Sequence, residues 1–252
     1  MALIGGNVAY WILRALRPPE VMRRPEADPY ANRSKLRTLL GDEWLAQLRG
    51  CTVIDFGCGE GSEVVELTSL GADRVIGLDI QERLLRVGRE RAEKANCLDR
   101  VEFTTEWSGQ ADVIVSLDAF EHFDDPAGIL RVMHGLLKPG GRVITSFGPT
   151  WYHPLGGHLF SVFPWAHLVF SERALIRWRS DFKSDGATRF SEVAGGLNQM
   201  TIARFERLVA ESPFVVERVE PVPIRKLAPL HNRLTREFTT SVVRAVLRRL
   251  PV

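Results

Sequence analysis

Residues Val53-Ile54-Asp55-Phe56-Gly57-Cys58-Gly59-Glu60-Gly61 join a short apolar run to an acid and then to three glycines at alternate positions. A buried strand of a parallel sheet reads as a near-continuous hydrophobic run, and glycines just beyond it let the backbone turn tightly and approach a ligand with no Cβ in the way. A dinucleotide fingerprint spaces its glycines as G-x-G-x-x-G so that a pyrophosphate meets a helix N-terminus. Here Gly57, Gly59 and Gly61 give G-x-G-x-G with Asp55 two residues ahead, which disfavours a phosphate ligand. A second run, Arg74-Val75-Ile76-Gly77-Leu78-Asp79, ends in an acid 24 residues after Asp55. A carboxylate at the end of a second strand is placed to accept both hydroxyls of a ribose. The pattern points to a ribose-containing ligand lying over a glycine turn and says nothing of phosphate.

Such a site needs strands alternating with helices, and the hydrophobic pattern supplies them. Leu36, Leu39, Leu40, Trp44, Leu45 and Leu48 recur at helical spacing ahead of the first strand. Glu63 to Leu70 predicts the helix leaving the glycine turn, Gln81 to Ala95 a charged amphipathic helix, and Val101 to Thr105 a third strand. Strands from Val113 and Arg142 flank a helix that Pro126 opens and Pro139-Gly140-Gly141 closes. Ile202 to Ala210 reads as helix and Phe214 to Val219 as strand. The tail from Phe238 to Leu247 begins β-rich, while Leu234, Phe238, Val242, Val246 and Leu250 also fit helical spacing; the strand is favoured. This alternation is that of a doubly wound parallel sheet.

Through D-F-G-C-G-E-G at 55–61, G-L-D-I at 77–80, D-V-I-V-S-L-D-A-F-E-H-F at 112–123 and L-K-P-G-G at 137–141, the chain resembles the class I, Rossmann-like S-adenosylmethionine-dependent methyltransferases. The resemblance covers residues 33–148 and implies an α/β fold: a doubly wound, mostly parallel seven-stranded sheet with helices on both faces, finished by an antiparallel strand. It implies a single domain over 33–252, preceded by an N-terminal helical extension or lid over 1–32 and carrying a substrate-cap insertion over about 148–200. The implied cofactor is S-adenosylmethionine and the product S-adenosylhomocysteine. Gly57 and Gly59 would carry the backbone under the methionine and ribose portions, with Asp55 organising the loop and the amino group. Cys58 would pack within the turn as a small polarizable side chain rather than act as a nucleophile. Asp79 would take the ribose hydroxyls with Ile80 against the adenine, and Asp118 and Ala119 would lie near the sulfonium. The adenine edge falls to Glu106 and Trp107, although Thr105-Glu106-Trp107 departs from the family's acidic-then-small pattern; Trp107 reads equally as a stacking ring or as a core or surface tryptophan.

A sulfonium methyl is already activated, so the protein's task is to align the acceptor, exclude water and, where needed, remove a proton. His122, in Glu121-His122-Phe123 just past the fourth strand, is one candidate base, with a structural or cofactor-side role as the alternative. The segment Trp151 to His167 adds three histidines among many aromatics after the fifth strand, where this fold commonly covers the acceptor. His153 and His158 each read as an acceptor-site base, as a hydrogen-bonded structural group, or as half of a metal site that lacks a carboxylate at ligand spacing; no metal is assigned. His167 reads as structural. Trp178 to Lys183 and Gly195 to Met200 are expected to cap the acceptor cleft, with the glycines as hinges.

The chain has 252 residues, 45% hydrophobic and 25% charged, which suits one α/β domain with additions and leaves no room for a second complete catalytic domain. Cys51, Cys58 and Cys97 are too few and too irregularly spaced for a disulfide framework or a zinc site, so a reducing cytoplasm is the expected location. Residues 1–24 carry a charge of +3 and residues 225–252 one of +6, leaving −7 on the 200 residues between. Basic ends on an acidic body suit either solvated faces or an anionic surface. The apolar run Val8 to Leu16 predicts a short helix, a lid or less readily an interfacial anchor, too short to span a membrane and lacking the flanks of a signal peptide; Pro18, Pro19 and Pro25 end it. No basic stripe with interleaved aromatics marks a nucleic-acid partner. The leading reading is methyl transfer to an oxygen of an aromatic or partly apolar small molecule. The alternatives are a quinone-like or lipid acceptor at a membrane surface and, in a different class, an inactive cofactor-binding partner subunit. Oligomeric state is left open.

Overall fold

A computed structural model describes residues 3–18, 30, 33–193 and 195–251. The connection containing Pro19 and Pro25 lies outside the described residues. Seven strands form one sheet in the order β3-β2-β1-β4-β5-β7-β6: β1 Thr52–Phe56, β2 Arg74–Leu78, β3 Val101–Thr104, β4 Ala111–Leu117, β5 Leu137–Phe147, β6 Val215–Pro223 and β7 Thr240–Arg248. The first five pair in parallel, and β7 runs antiparallel to both β5 and β6.

Strand alternation decides which helices cover which face. Val53 pairs in register with Val75 and Val113, and this valine row faces one buried cluster. Ile54 pairs with Ile76 and Ile114, and the isoleucine row faces another. The valine side is covered by α2 (Lys35–Leu40), α3 (Asp42–Ala46), α4 (Ser62–Ser69) and α5 (Glu82–Lys94); the helical spacing from Leu36 to Leu48 is broken at Gly41, whose φ is +81°. The isoleucine side is covered by α6 (Pro126–Leu136) and by α9 (Ile202–Ala210) through Phe205 and Val209. A third cluster joins Ala9, Tyr10 and Leu13 of α1 (Gly6–Leu16) to Phe160, Phe170 and, on α8 (Glu172–Arg179), Leu175 and Trp178; between them lies the short α7 (Ala166–Val169).

Two boundaries differ from the sequence expectation. Helix α6, capped by Asp125 through the Gly128 N–H at 2.9 Å, ends at Leu136 rather than at the Pro139-Gly140-Gly141 triplet. Strand β5 begins at Leu137, which faces Ala111, and its register then jumps to pair Val113 with Arg142, so the triplet sits in a β-bulge. In the tail, Arg236–Thr239 makes one helical turn, α10, and the favoured strand runs from Thr240, aiming Val243, Ala245 and Leu247 into the isoleucine-side core.

One packing feature fixes the glycine turn from below. A Cβ added at Gly61, Gly77 or Gly88 would lie 2.5, 2.8 and 2.5 Å from the Phe103 ring, so α4, β2 and α5 close on this ring only because all three are glycine. Gly61 is therefore a packing residue, whereas a Cβ at Gly57 would meet only the Ala119 methyl at 3.5 Å and one at Gly59 nothing within 4 Å. Alanine at Gly88 should gain about 1 kcal/mol in helix propensity but lose more by crowding a ring already boxed in by two other glycines. We expect Gly88→Ala to destabilise by about 1–3 kcal/mol in urea unfolding, and the cost to shrink below about 1 kcal/mol when Phe103→Leu clears the space. Additive costs in the double-mutant cycle would contradict the socket.

Candidate active site

Chain order reverses between β1 and β4, and in open α/β sheets ligands bind in the crevice at the strand C-termini beside such a reversal. The turn after β1 is tied to β2 there: the N–H groups of Gly57 and Cys58 donate to Leu78 O at 2.8 and 3.1 Å. Gly57 and Gly59 take φ of +83° and +51°, and the region within 4 Å of a Cβ on Gly59 is empty. Asp79 bridges the turn and the start of α5, accepting from Gly59 N–H and Gln81 N–H at 2.9 Å each. Asp118 and Ala119 reach the same crevice from β4, with the Ala119 methyl 3.5 Å from the point that a Cβ on Gly57 would occupy. Ile80 is 91% exposed beside Asp79, a bare apolar face. Trp107 is half-buried against the isoleucine-side core, and Gly109 leaves room for its ring. Glu106 is exposed, its backbone held by the Thr104 hydroxyl. Cys58 is buried, and burial with the nearby Asp55 and Asp79 pushes its thiol up, which keeps it protonated and inert.

The crevice is rich in acid. Burial, reinforced by Glu63 and Asp79 and opposed by Lys35, pushes Asp55 up to about 8, and its Oδ2 has no hydrogen-bond partner. Glu121 is 2% exposed and likewise pushed up to about 8 by burial and by Asp118; one oxygen accepts from Gly148 N–H at 3.0 Å and Oε2 has no partner. Asp118 adopts φ +51°, a left-handed conformation that non-glycine residues keep only when surroundings enforce it. Its N–H donates to Ser146 O at 2.8 Å, the Tyr30 hydroxyl donates to its Oδ2 at 2.9 Å, and Lys35 Nζ lies 3.3 Å from the same oxygen. Tyr30 and Lys35 escape sequence reasoning because neither belongs to a motif or a periodic run.

The histidines separate into three environments. His122 Nδ1 lies 2.8 Å from Gly196 O; a carbonyl only accepts, so Nδ1 carries a proton and Nε2 is the nitrogen left for other partners. The His158 ring meets it edge-on at 5.4 Å, and burial, followed by the charge contribution of His122, pushes His158 down to about 4. Both rings line a cavity of about 520 Å³ whose other walls include Phe160, Arg179, Lys183 and Leu197. His122 N–H donates to Ala119 O at 2.9 Å, so this wall lies one turn from the crevice. His153 does not line the cavity. Its Nδ1 accepts from Leu155 N–H at 2.9 Å, and burial pushes it down to about 4. His167 is fastened at both nitrogens, Nε2 donating to Trp151 O at 2.7 Å and Nδ1 facing the Ser161 hydroxyl at 3.1 Å. Among the described residues no group of three His, Cys, Asp or Glu side chains could hold a metal ion, and no helix is long and apolar enough to cross a membrane.

Residues 54–145 match a family model described as a methyltransferase domain. The chain is 38% identical over 112 residues to a ubiquinone biosynthesis O-methyltransferase of Acinetobacter baumannii, covering 42% of this chain and 47% of that protein. It is 38% identical over 130 residues to one of Pseudomonas paraeruginosa, covering 49% and 55%. It thus spans about half the length of the curated relatives it matches. Among solved structures, an S-adenosylmethionine-dependent methyltransferase of Mesorhizobium loti superposes with a TM-score of 0.55 at 20% identity, over 82% of this chain and 94% of that one. Magnesium protoporphyrin IX methyltransferase of Synechocystis, solved with bound S-adenosylhomocysteine, superposes with a TM-score of 0.54 at 17% identity, over 96% and 99%.

The buried Glu121 has a stability signature. Its folded pKa lies above the ordinary value, so as pH rises from about 5 to about 8 the unfolded chain releases a proton that the folded one keeps, and folded stability falls. Glutamine stays neutral throughout. The stability of Glu121→Gln relative to wild type should therefore grow with pH across this window, by up to about 1.4 kcal/mol per unit in urea unfolding. A difference independent of pH would show that Glu121 ionises normally.

Proposed function

We propose that the chain, which belongs by its sheet and its matched domain to the class I S-adenosylmethionine-dependent methyltransferases, transfers a methyl group to a hydroxyl oxygen of an aromatic or partly apolar small molecule. S-adenosylmethionine supplies an activated methyl on a sulfonium, whose carbon–sulfur bonding pair returns to sulfur as the methyl leaves. The crevice suits that cofactor: Gly59 leaves open space, Asp79 is fixed where a ribose would meet it, and the partnerless Asp55 Oδ2 suits an ammonium donor. Binding such a cation would favour the ionised Asp55 and offset its burial. Asp118, steadied by Tyr30 and Lys35, holds the edge next to the reacting methyl, and Ile80 offers its exposed apolar face to the base.

The observation that carries the acceptor side is His122, whose bond to Gly196 O occupies Nδ1 and leaves Nε2 for an acceptor at a cavity one turn from Ala119. As the acceptor oxygen bonds the methyl carbon, its proton passes to His122 Nε2. His158, kept neutral by burial, packs against this ring without competing for charge. Phe160, Val193 and Leu197 carry the hydrophobic cluster shared by α1 and α8 into the wall of this cavity. A quinol-type acceptor at a membrane surface is the second reading, supported by the relatives' names and by exposed Val8, Trp11 and Leu16 on α1. However, the family-model match ends at Thr145, ahead of the residues that line the cavity from His158 onward.

The test is transfer of labelled methyl from S-adenosylmethionine to a panel of phenols and catechols. His122→Ala should lower kcat by about 10²–10⁴-fold while leaving cofactor affinity within about twofold. Full turnover by this variant would remove His122 as the base.

A further inference from the structure

The lining of the cavity beside His122 falls into two chemically distinct groups. One is the two imidazoles with Phe160 and Leu197, the other Arg179, Lys183 and Asp185. Helix α8 ends at Arg179, yet Lys183 N–H donates to Arg179 O at 3.0 Å, so the coil continues one turn and presents both cationic side chains on one side. The Arg179 side chain is only 6% exposed and is fully engaged by Asp185, with bidentate bonds of 2.6 and 2.5 Å. Lys183 lines the same cavity and makes no ion pair with any described carboxylate. The cavity thus holds a preset, paired guanidinium and, one turn away, an ammonium that no carboxylate among the described residues pairs.

We propose that the acceptor is a hydroxylated aromatic acid, with its carboxylate at Lys183, its ring between Phe160 and Leu197, and its hydroxyl at His122. This rests on the methyl-transfer reading above and names the substrate class of that site. Arg179, already neutralised by Asp185, anchors the loop that carries Lys183 and forms the polar floor of the carboxylate end. The apolar Phe160 and Leu197 would hold a carboxylate poorly, so the cavity favours one orientation of the acid, carboxylate to Lys183 and hydroxyl to His122.

The probes are 3,4-dihydroxybenzoate and catechol, which differ only in the carboxylate, titrated calorimetrically into full-length protein saturated with S-adenosylhomocysteine. Wild type should bind the acid about tenfold more tightly than catechol. Lys183→Met should reduce that preference to within about twofold, Lys183→Arg should retain most of it, and rising salt should narrow it in wild type. Equal affinity for the two probes in wild type, binding of neither, or a preference that survives in Lys183→Met would overturn the inference. Failure of both probes with S-adenosylhomocysteine still bound would leave the methyl-transfer reading standing; failure to bind S-adenosylhomocysteine would remove both.

Discussion

The parallel strands β1 and β4, and the turn after β2, deliver four carboxyls, Asp55, Asp118, Glu121 and Asp79, to one edge of the sheet. Lys35 is the cation that faces three of them. Such crowding is unfavourable in isolation: two of the acids are buried and pushed up to about 8, and each keeps an oxygen without a partner. A ligand carrying positive charge relieves it, because an ammonium or sulfonium near these groups supplies the missing attraction and lets an acid ionise at lower cost. Much of the surrounding architecture serves to hold that edge in place: the Phe103 socket clamps the glycine turn, Asp79 is spent on two backbone N–H groups, and Asp118 is fixed in a left-handed conformation by Tyr30, Lys35 and Ser146.

The division of labour between the sheet edge and the cap follows from topology. Strand ends converge on one crevice, so the sheet edge is built from backbone turns and short acids whose positions the hydrogen-bond ladder dictates. The cap has no such ladder. It is assembled from short helical turns, and its order comes from a hydrophobic cluster that also takes in α1, so Trp178 donates to Arg17 O and Tyr10 reaches Asp181 across the junction.

What the sequence could show tracks this division. The strands are legible because buried parallel strands read as apolar runs and their ends carry Asp55, Asp79 and Asp118, and the antiparallel β7 is legible because its β-branched residues outweigh a helical spacing that includes exposed Leu234 and Phe238. The end of α6 is not, because Gly140, a good helix terminator, serves a β-bulge instead. The roles of Gly61 and Gly88 are hidden because a packing glycine and a ligand glycine look alike until the facing ring is known. Tyr30 and Lys35, and the pairing of His122 with His158 rather than with His153, depend on distant segments meeting in space, and no local spacing records that.

Calorimetric titration with S-adenosylmethionine decides whether this acid-rich edge holds a cationic nucleoside through Asp79 and the glycine turn. The expected result is saturable binding to wild type and a loss of about tenfold to a hundredfold in Asp79→Ala, the range of one or two hydrogen bonds to a charged acceptor. No binding at millimolar ligand, or equal affinity in Asp79→Ala, would contradict it.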